Sequence, residues 1–115
     1  MDESQAELFR LQAAICKTLA DPKRLMIIHE LRQGERSVGN LVSILGAPQA
    51  NVSQHLAILR ANGIVATRRE GSMVYYRLAH PRIGDACDLV RGVLEEQLAS
   101  SRSLADSLGS LNRGA

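Results

Sequence analysis

Five short polar residues crowd one stretch of the chain: Gln49, Asn51, Ser53, Gln54 and His55. Amides and a hydroxyl in the first turns of a helix match the donors and acceptors on base edges in a DNA major groove. Just beyond them, Arg60, Arg68, Arg69, Arg77 and Arg82 face one acid, Glu70, in a chain whose net charge is only +2. Arginine is the side chain suited to bidentate phosphate and guanine contacts. On charge alone that stripe reads equally well as a solvated face. The polar cluster next to it favours DNA. Two thiols, Cys16 and Cys87, could form a reversible oxidation pair or capture a thiophilic ion. A cysteine on an amphipathic helix also serves as a small buried hydrophobe. His29 and His80 have no partner arrangement and read as structural or solvent-facing. No nucleophile–base spacing and no glycine-rich phosphate loop occurs, so an enzyme is not expected.

Composition narrows the class further. With 115 residues the chain makes one domain, 1–115, and needs no disulfide or metal to fold. Aromatic residues are 3%, so the core is aliphatic, and the stacking platforms of single-strand binders are excluded. The longest apolar runs, such as Leu25-Met26-Ile27-Ile28, are far shorter than the roughly 20 residues of a membrane span. The acidic start Met1-Asp2-Glu3-Ser4 does not read as a signal peptide. The expected location is the cytoplasm, with both cysteines as thiols.

The polar cluster needs elements to hold it. Ser4-Gln-Ala-Glu7 reads as a capping box, and Leu8, Leu11, Ile15 and Leu19 recur at helical spacing. Helix 1 is therefore expected over 4–19. Asp21-Pro22 supplies an N-cap and a proline at the first helical position. Leu25, Ile28 and Leu31 continue that second helix over 22–33, with Gly34 just past its end. Ser37 caps a short third helix carrying Val38, Leu41, Val42 and Leu45, ended by Gly46. Val52, Leu56 and Leu59 anchor a fourth over 49–62, ended by Gly63. Helices three and four, joined by a tight turn, form a helix-turn-helix over about 38–62. The period then changes. Ile64–Arg69 and Met73–Leu78 are β-rich runs around Glu70-Gly71-Ser72, predicting a hairpin over 64–78. A fifth helix follows over 82–108 with Ile83, Cys87, Val90, Leu94 and Leu98 on one face, and the tail 109–115 is expected to fray.

The order α-α-α-α-β-β-α is a winged helix-turn-helix: mainly α with a small hairpin. Helices 1 and 5 lie at the chain ends and are amphipathic. One small domain cannot cover both their faces, so a homodimer through these two helices is predicted.

The segments Leu19-Ala-Asp-Pro-Lys-Arg-Leu25, Val52-Ser-Gln-His-Leu56, Leu59-Arg-Ala-Asn-Gly-Ile-Val65 and Tyr75-Tyr-Arg-Leu78 resemble the ArsR/SmtB family of bacterial transcriptional repressors over about residues 8–98. The resemblance implies a homodimer on an imperfect palindrome, released by an inducer, with 49–62 as the recognition helix. One departure is Pro48, which stands where the family often has a Ser or Thr cap; the helix is still expected because its packing residues are intact. The family's Cys-x-Cys in the third helix reads Ser37-Val38-Gly39 here. Its Asp-x-His on helix 5 reads Asp85-Ala86-Cys87, and the completing positions fall on Leu98 and Ser101. A four-ligand zinc site is therefore not expected. Persulfide-sensing members carry one cysteine in helix 2, where His29 stands here, and another later in helix 5 than Cys87.

The expected function is thus a sequence-specific repressor on double-stranded DNA. Gln49, Asn51, Ser53, Gln54 and His55 would face bases, and Arg60, Arg68, Arg69 and Arg77 the phosphates or minor groove. Cys16 and Cys87 are the sensing candidates. The sequence leaves open a thiophilic ion, or no cofactor. It also leaves open a repressor without an inducer site and a winged helix used only for protein interaction.

Overall fold

In the computed structural model the described residues are 1–114, with side chains described through 109. The element order is α1 (Glu3–Leu19), α2 (Pro22–Leu31), β1 (Arg36–Ser37), α3 (Val38–Leu45), α4 (Gln49–Ala61), β2 (Val65–Glu70), β3 (Met73–Leu78) and α5 (Pro81–Gly114). The chain separates into two compact units, Met1–Gly84 and Asp85–Ala115.

In the first unit, α2, α3 and α4 enclose one aliphatic core. Ile27, Ile28 and Leu31 of α2, Leu41 of α3, and Val52, Leu56 and Leu59 of α4 are buried in it. Ile64, Val65 and Leu78 bring the base of the hairpin into the same core. Leu25, expected inside, is exposed instead. Ile27 takes a core place beside Ile28 and Leu31, so the buried face of α2 is turned slightly from the expected one.

The N-terminus corrects the expected cap. Asp2, not Ser4, caps α1: its Oδ1 accepts from Gln5 N at 2.8 Å, and Gln5 Oε1 accepts from Asp2 N at 3.0 Å. Asp and Gln form the reciprocal pair as well as Ser and Glu do. Glu3 and Glu7 are left to pair with Arg10. The cap of α2 is as expected, with Asp21 Oδ1 accepting from Lys23 N at 2.9 Å and Arg24 N at 3.2 Å. α2 ends at Leu31, two residues earlier than read from the sequence. Gln33 N and Gly34 N then bond back to Glu30 O and Leu31 O.

Ser37 caps α3 by accepting from Asn40 N, and Gly46 closes that helix. α4 forms although Pro48 gives no side-chain cap bond. Its end is a Schellman motif: Ile64 N bonds Leu59 O and Gly63 N bonds Arg60 O. Gly63 holds φ at +72° there, a left-handed conformation that glycine adopts without penalty.

β2 and β3 pair antiparallel from Val65↔Leu78 to Glu70↔Met73, closed by the two-residue loop Gly71-Ser72. Gly71 has φ +60° and no non-glycine residue among the described ones has positive φ, the signs of a type II′ turn. The sheet also has a third strand absent from the sequence reading. β1 pairs with β3 through Arg36↔Tyr76 and Ser37↔Tyr75, giving the order β1-β3-β2. Two residues show no period of their own, so only tertiary proximity reveals this strand.

α1 has no buried side chain, and Leu8 (65% exposed) and Phe9 (54%) stand with Leu11 and Ile15 in solvent. α5 runs to Gly114, past the expected end at 108, so the predicted frayed tail is helical through Gly114; Ala115 lies outside the described residues. Along α5, Leu89 (74% exposed), Val90, Val93, Leu94, Leu98, Leu104 and Leu108 are all exposed.

Candidate nucleic-acid interface

The inward face of α4 is settled by Val52, Leu56 and Leu59, spaced four and three residues apart and all buried. That anchorage decides where the polar residues point. Gln49 and Gln54 are exposed and Ser53 is half-buried. Among the described residues none of the three has a side-chain hydrogen-bond partner elsewhere in the fold, and they form the outward polar surface at the start of α4.

Asn51 and His55 occupy a different flank. Lys23 Nζ of α2 donates to Asn51 Oδ1 at 3.1 Å, and Arg24 Nε donates to His55 Nδ1 at 3.2 Å. Both residues are half-buried. His55 Nδ1 also lies 3.9 Å from Asp21 Oδ1, beyond hydrogen-bond reach. The bond from Arg24 uses the Nδ1 lone pair, which assigns the ring proton to Nε2. Asp21 itself is held below its ordinary pKa, chiefly by the hydrogen bond from the Arg24 backbone N–H. The sequence placed Asn51 and His55 among base-reading residues; in the structure one polar atom of each, Asn51 Oδ1 and His55 Nδ1, is bonded to α2. Lys23 and Arg24 are partners of α4 that sequence reasoning missed. They sit in the quoted Leu19–Leu25 segment, but nothing local shows that they reach residues 28 and 31 positions away.

The arginines divide in the same way. Arg60 is exposed at the end of α4. On the hairpin, register puts Arg68, Glu70, Tyr75 and Arg77 on one face and Arg69 on the other, with Val65 and Leu78. Arg68 is fully engaged: Nη2 donates to Glu35 Oε2 at 2.9 Å, Nε lies 3.1 Å from both Glu35 oxygens, and Nη1 donates to Glu70 Oε2 at 2.8 Å. Its guanidinium carbon also lies 4.8 Å from the Tyr75 ring centroid. The Arg68 fork holds Glu35 below its ordinary pKa, and the two carboxylates raise that of Arg68. Arg77 Nη1 makes only a long contact, 3.5 Å, to Thr67 O. Arg69 is exposed, with no ion-pair partner among the described residues. The excess of arginines over the single acid Glu70 in that stretch is therefore reduced by Glu35, which lies 33 positions from Arg68 and had no local signal.

Cys16 is exposed on α1 and Cys87 half-buried on α5. His29 and His80 are both exposed. Among the described residues no group of three or more His, Cys, Asp and Glu could hold a metal ion. No helix among them is long and apolar enough to cross a membrane.

Known proteins share this arrangement. The family model for bacterial regulatory proteins of the arsR family matches residues 21–67, from the cap of α2 into β2. An uncharacterised HTH-type transcriptional regulator of Mycobacterium tuberculosis, Rv0081, is 38% identical over 102 residues, covering 88% of this chain and 90% of that protein. The biofilm growth-associated repressor of Agrobacterium fabrum is 50% identical over 70 residues, 61% of this chain and 60% of the relative. Among solved structures, the homodimeric winged helix-turn-helix DNA-binding domain Mb0332 of Mycobacterium bovis superposes with a TM-score of 0.75 at 35% identity, covering 85% of this chain and 91% of that one. With its helix-turn-helix, its wing and near full-length kinship to such regulators, this chain belongs to the ArsR family of bacterial regulatory proteins.

Proposed function

We propose that the protein is a sequence-specific transcriptional repressor, a cytoplasmic homodimer that binds a palindromic DNA operator. The observation that carries this reading is the outward surface of α4: Gln49, Ser53 and Gln54 stand on a helix whose opposite face is locked into the core. Relatives described as repressors and as homodimeric DNA-binding domains support it. In this reading Gln49, Ser53 and Gln54 reach base edges, while Arg60, Arg69 and Arg77 contact phosphates. Asn51 through Oδ1, His55 through Nδ1 and Arg68 through its whole guanidinium are engaged within the fold, and these bonds hold the helix and wing in place. The first turn of α4 lacks a side-chain cap, so its backbone N–H groups suit a phosphate oxygen. Two copies pair through the exposed apolar faces of α1 and α5, making one winged domain of each chain. Half-sites then lie about one helical turn apart, roughly 10 base pairs. Release by an inducer acts in this proposal through Cys16 or Cys87.

The test is a fluorescence-anisotropy titration of labelled DNA from upstream of the protein's own gene. The reading requires tight binding with a steep salt dependence, because phosphate contacts release counterions. Gln54→Ala weakens operator binding by about 1–3 kcal/mol and leaves random DNA nearly unchanged. Equal losses on both duplexes remove Gln54 from the base-reading set. Arg69→Ala flattens the salt slope by about one unit. Arg68→Ala leaves the slope in place, because Glu35 and Glu70 already neutralise that guanidinium; a flattened slope would return Arg68 to the phosphate contacts. Repeating the titration after a mild thiol oxidant decides the sensing role: unchanged binding removes both cysteines as redox switches.

A further inference from the structure

The last turn of a helix leaves backbone carbonyls without intrahelical partners. In α1 one of these, Thr18 O, accepts from Arg24 Nη1 at 2.8 Å. The same guanidinium donates through Nε to His55 Nδ1 on α4 at 3.2 Å. A guanidinium is planar and rigid, so Nη1 and Nε move as one body. Arg24 therefore ties the end of α1 to the second turn of α4, one residue from Gln54. Asp21 fixes the Arg24 backbone through the cap of α2, and Lys23 holds Asn51 one turn earlier on the same flank of α4.

α1 itself has no buried side chain and presents Leu8, Phe9, Leu11 and Ile15 to solvent. Its placement in the working assembly is thus set by what covers that face rather than by its own core. We propose that Arg24 is a positioning residue that transmits the placement of α1 to the base-reading helix α4. Whatever displaces the last turn of α1, including a change at the dimer interface, then alters the presentation of Gln49, Ser53 and Gln54 to DNA. The inference rests on the DNA-binding reading for its consequence, though not for the coupling itself.

The experiment uses the full chain with Arg24→Leu, Arg24→Lys, His55→Phe and the Arg24→Leu/His55→Phe double variant. Hydrogen exchange of the free protein reports the coupling without DNA. Exchange of α4 amides over residues 49–56 accelerates about tenfold in the Arg24 variants, while the β2–β3 amides keep their protection. In anisotropy titrations, Arg24→Leu and His55→Phe each weaken operator binding about tenfold, and the double variant loses no more than either single one. Random-duplex affinity and the salt slope stay at their wild-type values. Arg24→Lys keeps the charge without the fork and behaves as Arg24→Leu does. Unchanged exchange in α4, additive losses in the double variant, or equal losses on operator and random DNA would each overturn the relay. Failure of the wild type to bind any operator would overturn the DNA reading alone, and the exchange measurement would still decide the coupling.

Discussion

In the proposed homodimer, Phe9→Glu on α1 and Leu94→Glu on α5 each convert the dimer to a monomer and lower affinity for the proposed operator by on the order of 100-fold or more. The two side chains are 54% and 52% exposed in the single chain, so neither substitution removes a core contact within it. Burying a leucine or phenylalanine contributes about 1.5–3 kcal/mol. Two-fold symmetry places each substitution in the interface twice. A carboxylate carried into an apolar contact adds its own desolvation cost. A monomer also engages one half-site and loses the effective concentration that links the second. Sedimentation velocity measures the assembly, anisotropy the affinity, and far-UV circular dichroism shows that the helices persist. A variant that sediments as the wild-type dimer would take that helix out of the interface.

Leu56→Ala costs about 2–5 kcal/mol of stability, a large share of the roughly 5–15 kcal/mol that holds a small domain together. Leu56 is 0% exposed and lies at the centre of the buried row Val52–Leu56–Leu59. Its truncation leaves a cavity beneath the helix that carries Gln49, Ser53 and Gln54. The measure is urea unfolding at matched protein concentration, because the proposed dimerisation makes the midpoint concentration-dependent. The midpoint falls while the slope with denaturant holds. Ser53→Ala, on the outer side of the same helix, barely moves that midpoint. If Leu56→Ala unfolds at the wild-type midpoint, α4 is not anchored as described.

These two expectations draw on opposite kinds of information. The apolar rows on helix 1 and helix 5, the caps at Asp21 and Ser37, the stops at Gly46 and Gly63 and the alternation around Gly71 are local patterns. Each acts within a few residues through hydrogen bonding, allowed φ or burial of one face. For that reason the winged helix-turn-helix and the buried row of α4 were legible from composition and spacing alone. Local reading missed where two equivalent local solutions compete. Asp2 with Gln5 caps α1 as well as Ser4 with Glu7 could, and Ile27 displaces Leu25 from the core by a small rotation of α2.

The interface itself divides along the same line. Sequence by itself determined that a polar helix start and an arginine-bearing hairpin stand together in a small aliphatic domain, and that its terminal helices carry unspent apolar faces. Only the tertiary structure decided which polar groups remain available. Lys23 takes Asn51, Arg24 takes His55, and Glu35 takes Arg68 across 28, 31 and 33 positions of chain. Pairings at that range depend on how α2, α4 and the hairpin pack, because a hydrogen bond requires its partners within about 3 Å of each other and no sequence period encodes that distance. The strand β1 follows the same physics: two residues become a strand only because β3 lies beside them.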